Sequence, residues 1–192
     1  MDIPSYDADN NRLFDDSTAI ASVRKTIENF ESRAIDNNYV ATYFPDVIKQ
    51  YSQIDGGAVS VPASVAALEA LGFNDSISFP WFAPAGFNRG GLTDILNTKA
   101  RLNTEERNLL YESRINPIAN FNINDFVIFG QKTLQKSKSA LDRVNVRRML
   151  LEVKRIVSDV ASDIIFEQNV KATRDRFVGI VTPFTDTVST RN

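Results

Sequence analysis

Between residues 126 and 169 the chain reads FVIFGQKTLQKSKSALDRVNVRRMLLEVKRIVSDVASDIIFEQN: a short apolar run, a basic loop and a long amphipathic stretch ending in FEQN. Val146, Met149, Leu150, Val153, Ile156, Val157, Val160 and Ile164 recur at steps of three and four. That spacing gathers them on one face of a helix over 143–165. The stripe has to be covered. Asp142 stands where its carboxylate can accept from the open amides of the first turn. The opposite face, Arg147, Lys154, Arg155, Ser158 and Asp159, belongs in water or against a polar partner. The apolar run 126–129 is short and continuous, as in a central strand covered on both faces. The expected fold is therefore α/β (α+β), a central mixed β-sheet flanked by helices, one of them long and amphipathic.

Composition narrows the function. The chain has no cysteine and no histidine, which removes disulfides, thiolate and imidazole metal ligands, and Ser-His or Cys-His nucleophile pairs. Its formal net charge is -2, so it lacks the basic excess of a general nucleic-acid binder. No apolar run reaches the roughly 20 residues that span a bilayer, and the start MDIPSYDADNN does not read as a signal peptide. The carboxylates at Asp15-Asp16, Glu105-Glu106 and Asp159/Asp163 sit where caps, helix dipoles or solvated faces account for them. No catalytic, cofactor-binding or metal site is expected.

In chain order, residues 1–17 lack periodicity and read as an extended arm or a disordered terminus, 18–182 as one core domain and 183–192 as a turn-like tail. Ser17 or Thr18 caps a helix ending near Arg33, with Ile20, Val23, Ile27, Phe30 and Ala34 on its apolar face. Residues 39–44 form a strand stopped by Pro45, with 47–51 as its continuation, and Gly56-Gly57 a turn. Pro62 opens a helix over 63–71 that Gly72 stops. Residues 80–91 form an ordered loop whose aromatics plug the core edge and whose glycines allow close packing; FNRGG lacks the Lys-[ST] ending of a phosphate-binding loop. A helix over 102–111, capped by Asn103 or Thr104, precedes strands at 115–121 and 126–129. The loop 131–139 carries Lys132, Lys136 and Lys138, either solvated or facing an acidic neighbour. Asn169 caps a last helix over 170–181, ended by Pro183, with Lys171, Arg174, Asp175 and Arg176 on its polar side.

FGQKTL, then DRVNVRRML, then FEQN together resemble the contractile tail sheath proteins of bacteriophages, large-myophage type. PWFAPAGFNRG at 80–90 and SRINPIANF at 113–121 resemble two further segments of that family, so the resemblance covers roughly residues 20–178 in the family's order. It marks Gly130, Thr133, Asn145, Arg147, Arg148, Phe166, Glu167 and Asn169 as motif positions. Of these, Arg147 and Arg148 are expected to clamp carboxylates or carbonyl ends through their planar donor forks.

The resemblance implies a non-enzymatic virion subunit without cofactors. It would polymerise as stacked hexameric rings around a tail tube and contract to drive the tube through the host envelope during genome ejection. The stroke would draw on free energy stored in a kinetically trapped lattice. Implied partners are further copies of the chain, the tail tube protein, the baseplate and the tail terminator, with no direct nucleic acid and no membrane insertion. Assembly would take place in the host cytoplasm. For tube or inter-subunit contact the candidates are Lys132, Lys136, Lys171, Arg174 and Arg176. Family members continue past the last helix, so the chain is either a fragment holding most of the tube-proximal core or a reduced member. The alternative function is a non-polymerising adaptor or baseplate module of a contractile injection system, and a weaker one is a small enzyme built on the 80–91 loop.

Overall fold

The computed structural model describes residues 19–50, 57–121 and 126–191. Expectations for residues 1–18, including the arm and the Ser17/Thr18 cap, for the Gly56 turn and for the 122–125 connection lie outside them. Among the described residues the order is α1 (Ala19–Glu31), β1 (Thr42–Phe44), β2 (Val47–Gln50), β3 (Ala58–Val61), α2 (Ala63–Ile77), β4 (Gly91–Leu92), β5 (Ile95–Thr98), α3 (Thr104–Glu112), β6 (Ile115–Asn120), β7 (Phe126–Ile128), a 3-10 turn (Ala140–Asp142), α4 (Val144–Ser162) and α5 (Lys171–Thr190). The fold is α/β.

Two sheets form. The first has strand order β1-β6-β7-β4, with β1 parallel to β6 and the other pairs antiparallel. The second, β3-β2-β5, is antiparallel throughout. Residues 47–50 therefore do not prolong the strand before Pro45: the chain changes sheets there.

Alternation along the strands divides the core in two. Tyr43 and Phe44 point to opposite faces of β1, as do Ile115 and Ile118 on β6. On one face Tyr43, Ile118, Phe126 and Ile128 meet α2 through Ala63, Ala66, Ala67 and Ala70. Alanine at these helical steps lets the helix lie close on the sheet. On the other face Phe44 and Ile115 meet Val23, Ile27 and Phe30 of α1, Leu110 of α3 and Leu134. Ala34, expected on the α1 face, lies beyond the helix and is exposed.

Several helix boundaries differ from expectation. Gly72 does not stop α2, which runs on to Ile77. Buried Asn74 receives the Ser78 hydroxyl on its backbone carbonyl at 2.8 Å, and Asp75 pairs with Arg148 on α4. Asp142 does not cap α4; it sits in the 3-10 turn with its carboxylate 3.1 Å from the Arg143 guanidinium, and Arg143 occupies the cap position without a side-chain bond. Pro183 does not end the last helix but lies inside α5, so residues 183–190 are helical rather than turn-like. Proline removes one amide from the ladder. Beyond it, the Phe184 ring stands edge-on to Trp81 at 6.2 Å and Val188 is buried, so packing carries the helix forward. At α3 the expected capping box is present: Asn103 accepts from the Glu106 amide at 2.9 Å, and Glu106 accepts from the Asn103 amide at 2.7 Å.

Candidate assembly surface

The centre of the molecule is a polar knot on β6. Asn116, fully buried, donates to the carbonyls of Thr42 on β1 at 3.0 Å and Lys132 at 2.8 Å, and accepts from the Lys132 amide at 2.6 Å. One side chain thus joins β1, β6 and the basic loop. Gly130 lies against it: a Cβ there would stand 2.8 Å from the Asn116 Oδ1 and 3.2 Å from the Pro117 Cδ. Thr133 is buried, its amide donating to the Asp142 carbonyl and its hydroxyl to the Leu141 carbonyl, each at 2.9 Å. The Val144 amide donates to the Gln131 carbonyl at 2.8 Å. These bonds seat the start of α4 on the end of the sheet.

The basic loop divides its lysines. Lys132 turns inward, its ammonium donating to the Tyr111 carbonyl at 2.8 Å and lying 4.0 Å from the centre of that ring. Burial, and then the neighbouring Arg143 guanidinium, hold its pKa below the usual lysine value. It serves the interior. Lys136 and Lys138 are exposed, and the loop is anchored to Asp36 by the Lys136 amide at 2.9 Å.

On α4 the apolar stripe is only partly covered. None of its residues is fully buried: Val146, Met149, Val153, Ile156, Val157, Val160 and Ile164 are half-buried and Leu150 is exposed, while Val144, the buried residue of α4, lies off the stripe. Arg147 does not join the solvated face: its guanidinium lies 3.5 Å from the centre of the Tyr39 ring and donates to the Asn38 side chain. Arg148 grips both oxygens of Asp75, tying α4 to α2. Lys154 and Arg155 do face water, Arg155 pairing with Glu152 and Asp159. The bond from Arg155 holds the Glu152 carboxyl below the usual carboxylate range. Asn145 keeps a buried Oδ1 that no donor among the described residues meets.

The FEQN corner is a projection. Phe166 is 100% exposed, and Glu167 and Asn169 are exposed as well. Asn169 does not cap α5, whose cap position is Val170; its Oδ1 instead accepts from Arg174 at 2.7 Å. Lys171 stands 3.7 Å from Asp175, and Lys171, Arg174 and Arg176 all lie exposed on α5. The cations expected at the surface thus collect on α5 and at Lys136, while Lys132 does not join them.

Sequence reasoning missed strands β3, β4 and β5, and an exposed aromatic cluster. Trp81 does plug the core, but Phe87 is exposed and packs on Phe121 at 5.2 Å; Phe121, with Arg107 over its ring, packs on Phe129 at 5.0 Å. The three rings come from separate segments, so no local pattern announced them. Among the described residues no group of three or more carboxylates gathers as a metal site, and no helix is long and apolar enough to cross a membrane.

No protein-family model matches the sequence. Individual proteins do. The chain is 33% identical over 168 residues to the tail sheath protein of Vibrio phage KVP40, covering 83% of this chain and 25% of that protein. This chain is homologous to part of phage tail sheath proteins. To the tail sheath protein of Enterobacteria phage T4 it is 31% identical over 144 residues, 75% of this chain and 21% of the relative. The sheath-like chain thus spans about a quarter of the length of these relatives. Its fold matches that of a contracted extracellular contractile injection system sheath complex (PVC), with a TM-score of 0.74 at 22% identity over 91% of this chain and 46% of that one. It also matches a chain of the anti-feeding prophage baseplate, with a TM-score of 0.70 at 22% identity over 82% and 41%.

Proposed function

We propose that this chain is a structural, non-enzymatic part of a contractile phage tail sheath subunit, polymerising as stacked hexameric rings around the tail tube and contracting to drive the tube through the host envelope. The observation that carries this reading is the 33% identity to a tail sheath protein over 83% of the chain. The likeness in fold to a contracted sheath supports it. Its partners would be further copies, the tube, the baseplate and the tail terminator, its place the virion tail after assembly in the host cytoplasm.

Tube contact falls to the exposed cations Lys171, Arg174 and Arg176 of α5, with Lys136 on the loop. Exposed charges attract over a short range and are screened by salt, which suits a contact that must hold in one lattice and let go in the other. Reversing Lys171 and Arg174 to glutamate should weaken sheath-on-tube assembly at least tenfold at low ionic strength and have little effect in high salt. Equal assembly of variant and parent at low salt removes this assignment.

Negative-stain electron microscopy of the chain with a co-expressed tube protein tests the whole reading. Striated tubes or six-fold rings are the expected result. Particles of fixed small stoichiometry would instead favour a baseplate or adaptor role, the reading that the likeness to a baseplate chain supports.

A further inference from the structure

The corner after α4 and a cleft near its start are chemically complementary. Phe166 is fully exposed and Ile165 70% exposed, with the exposed carboxylates of Asp163 and Glu167 on either side. An aromatic side chain removes about 150–250 Å² from water when buried, and this one buries nothing within the chain. Near the start of α4, a cleft of about 400 Å³ opens between α2, β1 and α4. Tyr43, Leu68, Leu71 and Leu151 give it an apolar lining, and Arg147 and Arg148 stand in its wall. Both guanidinium groups keep a buried N–H without a hydrogen-bond partner: Nε of Arg147 and one Nη of Arg148. One surface is an apolar tip flanked by carboxylates; the other is an apolar hollow flanked by Arg147, which meets no carboxylate among the described residues, and by Arg148, which shares its charge with Asp75.

They do not meet within one chain. From Leu151 to Ser162 the helix alone advances about 16 Å at 1.5 Å per residue, and the full exposure of Phe166 shows that its own cleft is out of reach. We propose that the Phe166 projection of one copy seats in the α2–α4 cleft of the next, with Glu167 turned toward Arg147 and Arg148. The inference rests on the self-assembly reading and adds the contact that carries it. Because tip and cleft are different surfaces, the contact is head-to-tail, and it repeats into a ring or an open helical stack according to the rotation between copies.

The absence of native cysteine makes the test direct. Copies carrying Gln168→Cys, which keep Phe166, are mixed in equal amounts with copies carrying Leu68→Cys, both at exposed positions, and oxidised; mixed disulfide dimers are counted by mass spectrometry. A control mixture uses Lys25→Cys, on the exposed side of α1, in place of Gln168→Cys. The 168/68 pair should cross-link at least tenfold faster than the control, and adding Phe166→Ala or Glu167→Arg to the first copy should remove most of that advantage. Cross-linking no faster than the control overturns the contact. Rings or tubes seen by microscopy without the enhanced cross-link would leave the sheath reading standing and remove this interface. Enhanced cross-linking with no assembly on a tube would do the reverse.

Discussion

Asn116 and Gly130 set the tolerance of the whole junction, because the amide that joins β1, β6 and the loop leaves no room for a methyl group beside it. Gly130→Ala should cost about 1–3 kcal/mol of stability, since the contacts it meets are a buried amide and a proline ring rather than a flexible chain end. Urea unfolding followed by circular dichroism measures it; a midpoint within error of the parent would show that the knot yields. Asn116→Ala strands two carbonyls and an amide in the interior, and should cost about 3 kcal/mol or more at roughly 1–3 kcal/mol per unsatisfied group. The FGQKT motif singled out Gly130 and Thr133, but nothing in the local pattern marked Asn116 as their partner. Its role depends on strands far apart in sequence.

At the scale of elements, helices were legible where their own residues supply the signals and misjudged where a neighbour decides. The α3 capping box is entirely local, and it appears where Asn103 and Glu106 predict it. The end of α5 is not local. Phe184→Ala should release the far half of α5 from Trp81, the only tryptophan, so its emission should shift to the red and the helix should fray beyond Pro183. An unchanged spectrum would mean that α5 is held elsewhere. Pro183→Ala restores a ladder hydrogen bond and should raise stability by as much as about 3 kcal/mol, the interior proline penalty, read as a higher melting temperature and greater helicity. The α4 stripe shows the same division: its 3.6-residue period is intrinsic, whereas its coverage depends on what lies alongside, and in this chain coverage is partial.

For the molecule as a whole, the two cores share a thin wall at β1, where Tyr43 faces one and Phe44 the other. Burial pushes the Tyr43 hydroxyl up to about 12 from its ordinary value of 10.0. A phenol whose folded pKa is raised adds stability that is fully present below the unfolded value and is lost as pH climbs through the folded one. Between about pH 10 and 12 the parent should therefore lose on the order of 2–3 kcal/mol that a Tyr43→Phe variant keeps. Parallel pH profiles for the two proteins would refute this. By itself the sequence determined the class of fold, the amphipathic helix, the absence of thiol and imidazole chemistry and the sheath resemblance, because these follow from periodicity, composition and contiguous motifs. Only the tertiary structure decided that the strand changes sheets at Pro45, that α2 and α5 outrun Gly72 and Pro183, that Lys132 turns inward and that Phe166 stands in water. Each of those outcomes is a competition between a local preference and contacts made by residues distant in the chain, and local propensities of about 1–3 kcal/mol are small enough for packing to overrule.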